Sequence, residues 1–157
     1  MKIIIGSDKS GYNLKEVIKT DLLAKGYQVD DKGTLDIVNF MPYYEVAPII
    51  AQAVSKGEYE KGILICGTGA GMNIVANKFK GVYSVCVESL YTAKMASVVN
   101  KANVLSLGGW VIAPEMGIAM VDAWLNTDFT NGFDEIRTKF LTNAYKEVQN
   151  IDKVNKI

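Results

Sequence analysis

The sequence predicts an α/β protein: a single Rossmann-like, doubly wound parallel sheet of about five strands, with helices on both faces and a C-terminal helix. Three observations predict it. Short β-branched runs alternate with helix-period apolar stripes along the whole chain, the pattern of repeated β-α units. Glycine-rich turns, Gly6 to Gly11 and Gly67 to Gly71, follow two of the predicted strands, at the carboxyl ends where such sheets bind ligands. The 157 residues contain no linker, repeat or low-complexity tract, so 1–157 is read as one domain.

Taken in order, Ile3 to Gly6 is a β-branched run ending in glycine, as a buried parallel strand requires. Leu14, Val17, Ile18 and Leu22 then fall at helical spacing, with Gly26 placed to close the helix. Tyr27 to Val29 is the second strand. Val46, Ile49, Ile50, Ala53 and Val54 mark the next helix, in which Pro48 is tolerable near the first turn, and Gly57 ends it. Ile63 to Cys66 is the third strand, running into the glycine loop and a helical stretch to Lys78. Val82 to Val87, Tyr91 to Val99 and Val104 to Leu107 read as strand, helix and strand. Met116, Ala119, Met120, Ala123 and Trp124 repeat the helical stripe, and Ile136, Phe140, Ala144 and Val148 predict a last helix. The spacing of these Met and aromatic residues reads as core packing.

Composition narrows the function. Seventeen Lys and Arg balance seventeen Asp and Glu, so no net field draws the chain to nucleic acid or an anionic membrane, and neither is expected as a partner. No apolar run approaches the ~20 residues of a membrane span. The opening Met-Lys-Ile-Ile-Ile-Gly lacks the apolar region of a signal peptide, so a cytoplasmic location is expected. The two cysteines, Cys66 and Cys86, have no metal or redox spacing, and there is no histidine. A metal site and a histidine-based triad within one chain are therefore not expected. Proton chemistry falls to a thiol, a carboxylate, a lysine, a tyrosine or another chain.

The loop Gly67-Thr68-Gly69-Ala70-Gly71 has glycine at every second position, which lets its backbone approach a ligand and its N–H groups converge at a helix start. It matches neither the Walker loop nor the dinucleotide fingerprint. Cys66 precedes it, where a helix N-terminus can lower a thiol pKa; read alone, it can equally be an inert buried thiol. Cys86, within a predicted strand, reads as core. Asp8 and Lys9 stand at the first strand's end, able to hold sugar hydroxyls and phosphate, or to be an N-cap and a solvated lysine. Tyr43, just ahead of the second helix, can offer its phenol to the same crevice.

Together these segments resemble the ribose-5-phosphate isomerase B and galactose-6-phosphate isomerase family. The resemblance rests on Gly6 to Gly11, on Gly62 to Asn73 with Ala76, Asn77 and Lys78, on Tyr91 to Met95, and on Asn100 to Gly108. It implies aldose–ketose isomerisation of a sugar phosphate through a cis-enediol, without metal or cofactor. Cys66 is similar to the family's base and Thr68 to a residue assisting ring opening. The amides of Gly67, Gly69, Ala70 and Gly71 would hold the enediolate oxygen. Asp8, Lys9, Tyr43, Asn100 and Arg137 match substrate-binding positions, Asn100 reaching the site from a neighbouring subunit.

Homodimeric members carry histidine where this chain has Lys9 and Val99, and arginine where it has Trp110 and Phe133. These departures imply the cysteine-bearing subunit of a heteromeric enzyme, similar to galactose-6-phosphate isomerase. The alternatives are a homomeric isomerase of altered sugar specificity, with Trp110 and Phe133 packing on a sugar face, and a non-catalytic sugar-phosphate binding or regulatory protein. A homodimer or heteromer, possibly a tetramer, is expected, with a C-terminal helix in 130–157 packing on a partner.

Overall fold

In a computed structural model that describes residues 1–155, the chain forms β1 (Lys2–Ser7), α1 (Tyr12–Ala24), β2 (Gln28–Asp31), α2 (Tyr43–Ser55), β3 (Lys61–Cys66), α3 (Ala70–Ala76), β4 (Ser84–Cys86), α4 (Leu90–Val98), β5 (Val104–Gly108), α5 (Pro114–Leu125) and α6 (Glu135–Asn155). All five strands are parallel, in the order β2-β1-β3-β5-β4. Period-2 alternation along buried strands divides the apolar residues between two cores. Ile3, Ile5, Ile63, Ile65, Leu105 and Leu107 meet α1, α4 and α5 on one face, while Ile4, Leu64, Cys66 and Val104 meet α2 and α3 on the other.

The strand order fixes where a ligand can sit. The chain leaves β1 toward β2 on one side and returns to β3 on the other, so the direction of winding reverses between β1 and β3. Crevices open at the carboxyl ends of such strands. Register brings those ends level, with Ser7 opposite Ile65 and Cys66 opposite Gly108.

The predicted elements are present, with four corrections. Tyr43 is the first residue of α2, after Pro42 at the N-cap, and Pro48 lies in the second turn, deeper than its sequence position suggests. Its ring is accommodated there at the expense of one helical hydrogen bond. Cys86 ends the short β4 and is half-buried rather than core. On α6, Ile136 and Phe140 are 83% and 67% exposed, so the last stripe does not pack into this chain's core as its spacing predicts. Among the described apolar residues of that helix, Leu141 is the one buried deeply.

Gly26 closes α1 at φ +85°, with open space around the position its Cβ would take. At the β4 edge, Asn77 receives the Ser84 N–H at 2.9 Å and donates to the Ser84 carbonyl at 2.8 Å, taking the place of a neighbouring strand. Among the described residues no helix is long and apolar enough to cross a membrane.

Candidate active site

The glycine loop joins β3 to α3 and is held from behind. The carbonyl of Cys66 accepts the Gly109 N–H at 2.7 Å, and that of Gly67 accepts the Trp110 N–H at 2.9 Å. The Thr68 carbonyl accepts the Cys86 thiol at 3.7 Å, and the Gly69 carbonyl accepts the Ser106 hydroxyl at 2.6 Å. In a planar trans peptide the following N–H points the opposite way, so four successive amides face away from β4 and β5. The Gly69 N–H reaches Cys66 Sγ at 3.2 Å. The Ala70 N–H faces the Thr68 hydroxyl at 3.4 Å. The amides of Gly67, Thr68 and Gly71 donate to no acceptor among the described residues. These are the donors an anion hole needs.

Sequence and packing explain why glycine alternates here. Gly69 has φ +83°, and a Cβ on it would lie 2.9 Å from Cys86 Sγ and 3.0 Å from the Leu107 carbonyl carbon. On Gly67 a Cβ would sit 2.8 Å from the Trp110 ring, and on Gly71 3.0 Å from the Tyr43 ring. Trp110 and Tyr43 thus lie against the two ends of the loop. Tyr43 also makes an edge-on contact with Tyr44, at 5.5 Å between ring centroids. Both Trp110 and Tyr43 stay exposed, Trp110 at 74%, whereas Cys66, between β3 and the loop, is 5% exposed.

Asp8 follows β1, tied by its own N–H to the Ile65 carbonyl at 3.2 Å, one residue before Cys66. Its carboxylate accepts the Gly11 N–H at 3.0 Å. Burial pushes the Asp8 carboxyl above its ordinary range, against the pull of the Gly11 and Ser10 amides. Lys9 extends outward with its ammonium 5.3 Å from the Phe40 ring centre, a cation held on an exposed loop beside the same strand end. Beneath that loop, fully buried Lys15 bonds to Asp31, Glu16 and the Thr34 carbonyl. Thr34 in turn clasps Met41 through its hydroxyl, closing the 34–41 loop at its neck.

The structure therefore brings Asp8, Tyr43, Cys66, Thr68 and the amides of Gly67, Gly69, Ala70 and Gly71 to one end of the sheet, with Lys9 on the exposed loop beside them, against Phe40. It does not bring Asn100 or Arg137 to them. Asn100 follows α4, which runs back to the amino ends of the strands, where Asn103 pairs with Tyr83 and Ala102 takes the Lys61 ammonium. Five steps along β3 at ~3.3 Å each put that end about 16 Å from Cys66. Arg137 lies on the same side, stacked 4.3 Å from the Phe133 ring centre, with Thr130 bonded to the Val98 carbonyl. Val99, Asn100, Phe133 and Arg137 form a second group that this chain cannot fold onto its own thiol. Sequence reasoning missed Ser106 and mistook Cys86, because a donor behind a loop leaves no signal in spacing.

No group of three or more His, Cys, Asp or Glu able to hold a metal occurs among the described residues. Comparison with known proteins agrees with the geometry. The Ribose/Galactose Isomerase family matches residues 3–141. A 4-deoxy-4-sulfo-D-erythrose isomerase of Clostridium sp. (strain MSTE9) is 50% identical over 153 residues, covering 98% of this chain and 96% of that protein. The galactose-6-phosphate isomerase subunit LacA of Clostridium acetobutylicum is 35% identical over 141 residues, 90% of this chain and 97% of its own. Among solved structures, the ribose-5-phosphate isomerase B of Clostridium thermocellum superposes with a TM-score of 0.88 at 37% identity, over 98% of both chains. Matches that run nearly end to end, on a sheet that sets a cysteine beside an amide cradle, place the chain in the ribose/galactose isomerase family as an aldose–ketose isomerase.

Proposed function

We propose that this isomerase acts on a short sugar whose terminal group is a singly charged sulfonate, with Cys66 as the base. The thiolate takes the proton from C2 of the open-chain aldose, and the amides of the 67–71 loop hold the negative oxygen of the cis-enediolate. The same sulfur returns the proton to C1 to give the ketose. Charge stabilisation that develops only during reaction is the efficient use of such donors. Asp8 and Tyr43 orient the hydroxyls, and Thr68 assists ring opening where the sugar is cyclic.

The observation that carries the sulfonate reading is Trp110, whose ring lies on Gly67 at a position where the phosphate-handling relatives are expected to carry arginine. A phosphate holds about 1.5–2 charges at neutral pH, and each arginine hydrogen bond withdrawn from it forfeits about 1.5–3 kcal/mol. A sulfonate spreads one charge over three oxygens, so fewer cations suffice and an aromatic neighbour is tolerated. Lys9, on the loop beside the strand end, and Arg137 from a second copy supply that smaller need. The activity named for the 50%-identical relative supports the same choice.

The test is a substrate panel on the purified chain, followed by NMR: 4-deoxy-4-sulfo-D-erythrose, erythrose 4-phosphate and ribose 5-phosphate. The sulfonate should give the highest kcat/KM. Trp110→Arg should shift the phosphate-to-sulfonate ratio upward by about ten- to a hundredfold, the equivalent of one charge-assisted hydrogen bond. Faster turnover of ribose 5-phosphate by the unmodified chain, or an unchanged ratio in the variant, refutes the reading. Val99 and Phe133, which leave the donated group with one cation, support a second reading, the heteromeric subunit. A pure chain inert on all three sugars but active after addition of a homologous subunit would establish that one instead.

A further inference from the structure

Two consecutive peptides of the glycine loop share one wiring. In the 68–69 peptide, Cys86 Sγ lies 3.7 Å from the carbonyl oxygen and the N–H points to Cys66 Sγ at 3.2 Å. In the 69–70 peptide, Ser106 Oγ lies 2.6 Å from the carbonyl oxygen and the N–H faces Thr68 Oγ1 at 3.4 Å. Each peptide is gripped at its oxygen by a side chain from β4 or β5 and offers its hydrogen to one of the two side chains assigned to the reaction.

We infer that Cys86 and Ser106 are positioning residues for isomerisation, each acting through a single peptide: Cys86 on the Cys66 thiolate and Ser106 on the Thr68 hydroxyl. A donor at a carbonyl fixes the plane of its amide and polarises the N–H at the other end, so the two hydrogen bonds strengthen each other. Gly69 is common to both peptides and lies against Cys86 Sγ and β5, so neither plane can turn without displacing the other. Ser106 is fully buried and carries its hydroxyl to this one acceptor. Burial, with the Glu88 and Cys66 charges behind it, pushes the Cys86 thiol up, which keeps its proton available for donation. The inference rests on Cys66 being the base.

The groups that can titrate around Cys66 are few. Asp8 and Lys9 follow β1, Tyr43, Tyr44 and Glu45 form the first turn of α2, Cys86 ends β4 and Glu88 follows it. The first turn of α3 and the 108–112 loop contribute none.

The experiment measures two quantities that a merely structural role leaves alone. The first is the pH midpoint of Cys66 alkylation by iodoacetamide, with the modified site read by mass spectrometry. Cys86→Ala should raise that midpoint by about half a unit, about a threefold loss of thiolate near it, and Cys86→Ser should restore it. The second is the split between kcat and KM. Ser106→Ala should lower kcat about tenfold with KM within about twofold and the thiol midpoint unmoved, since its peptide serves Thr68. Where Ser106→Ala fails to fold by near-UV circular dichroism, Ser106→Cys, a weaker donor of similar shape, should give the same split in smaller measure. An alkylation midpoint indifferent to residue 86, or a Ser106 variant that changes KM alone, overturns the inference. The alkylation profile needs no turnover, so it is independent of the base assignment. That assignment fails separately if Cys66→Ala still exchanges the C2 hydrogen with solvent.

Discussion

Replacing Gly69 with alanine tests the loop more sharply than removing any side chain from it. The perturbation has two parts. At φ +83° a Cβ costs about 1–2 kcal/mol in backbone strain. The same Cβ would stand 2.9 Å from Cys86 Sγ and 3.0 Å from the Leu107 carbonyl carbon, and β5, paired in mid-sheet, cannot retreat. Overpacking of that kind adds about 1–3 kcal/mol, for a total of about 2–5 kcal/mol. Relief comes by moving the loop, which turns the Gly69 N–H away from Cys66 and carries the free amides of Gly67, Thr68 and Gly71 out of register with the enediolate oxygen; loss of one such free donor lowers kcat by about 100- to 1,000-fold. Gly26→Ala is the matched control, since Gly26 has φ +85° and nothing within 4 Å of its Cβ position. It should show the strain alone, about 1–2 kcal/mol, with full activity. Urea unfolding and deuterium exchange at C2 read the two effects. Equal stability losses in the two variants would refute the packing argument, and an active Gly69→Ala would refute the anion hole.

Two further outcomes follow from burial of charge. The Asp8 carboxyl titrates above its ordinary 3.8 in the native state, so the folded form binds the proton more tightly than the unfolded one. Its contribution to stability therefore falls as pH rises from about 3.8 through the raised value, and the deficit persists at neutral pH. Asp8→Asn, which keeps an oxygen for the Gly11 N–H, should melt at or above the unmodified protein at pH 7 and lose that advantage below pH 3.8, while activity drops; a variant less stable at pH 7 contradicts this. Lys15→Met removes a buried cation that ties Asp31, Glu16 and Thr34. Asp31 retains Lys19 at 2.8 Å, so the cost should fall at about 3 kcal/mol, the low end for a broken buried pair. A urea-derived loss below about 1 kcal/mol would show that the network is dispensable.

Much of this architecture is legible in the residue order because strands and helices bury themselves with different periods. Ile3 to Ile5 and Ile63 to Ile65 are continuous apolar runs, and both are wholly buried, as strands covered on two faces must be. The stripe on α5 places Met120 and Trp124 in the core, as its spacing predicts, but leaves Met116, in the helix's first turn, 45% exposed. The same logic fails for Ile136 and Phe140, since periodicity reports that a helix has an apolar face and not what covers it. The half-site around Cys66 is legible because glycine at alternate positions, after a strand and before a helix, marks a loop whose backbone must come close to whatever surrounds it, here the Trp110 ring, Cys86 and the Tyr43 ring. Cys86 and Ser106 are not legible, because their role depends on which carbonyl a neighbouring strand happens to face. The resemblance already implies that Asn100 belongs to a neighbour's site, and the return direction of α4 gives the physical reason; that Arg137 lies at the same far end is not legible in the residue order.

Asn77 has a consequence for how copies of this chain can meet. By answering both main-chain groups of Ser84, its amide interrupts the template on which a sixth strand would zip along β4. Two molecules cannot fuse their sheets into one continuous ribbon there, so open-ended fibrillar growth is denied a starting point at that border. Any assembly on this side is left to helices and side chains, whose contacts lack the repeating main-chain ladder that a bare strand edge would offer.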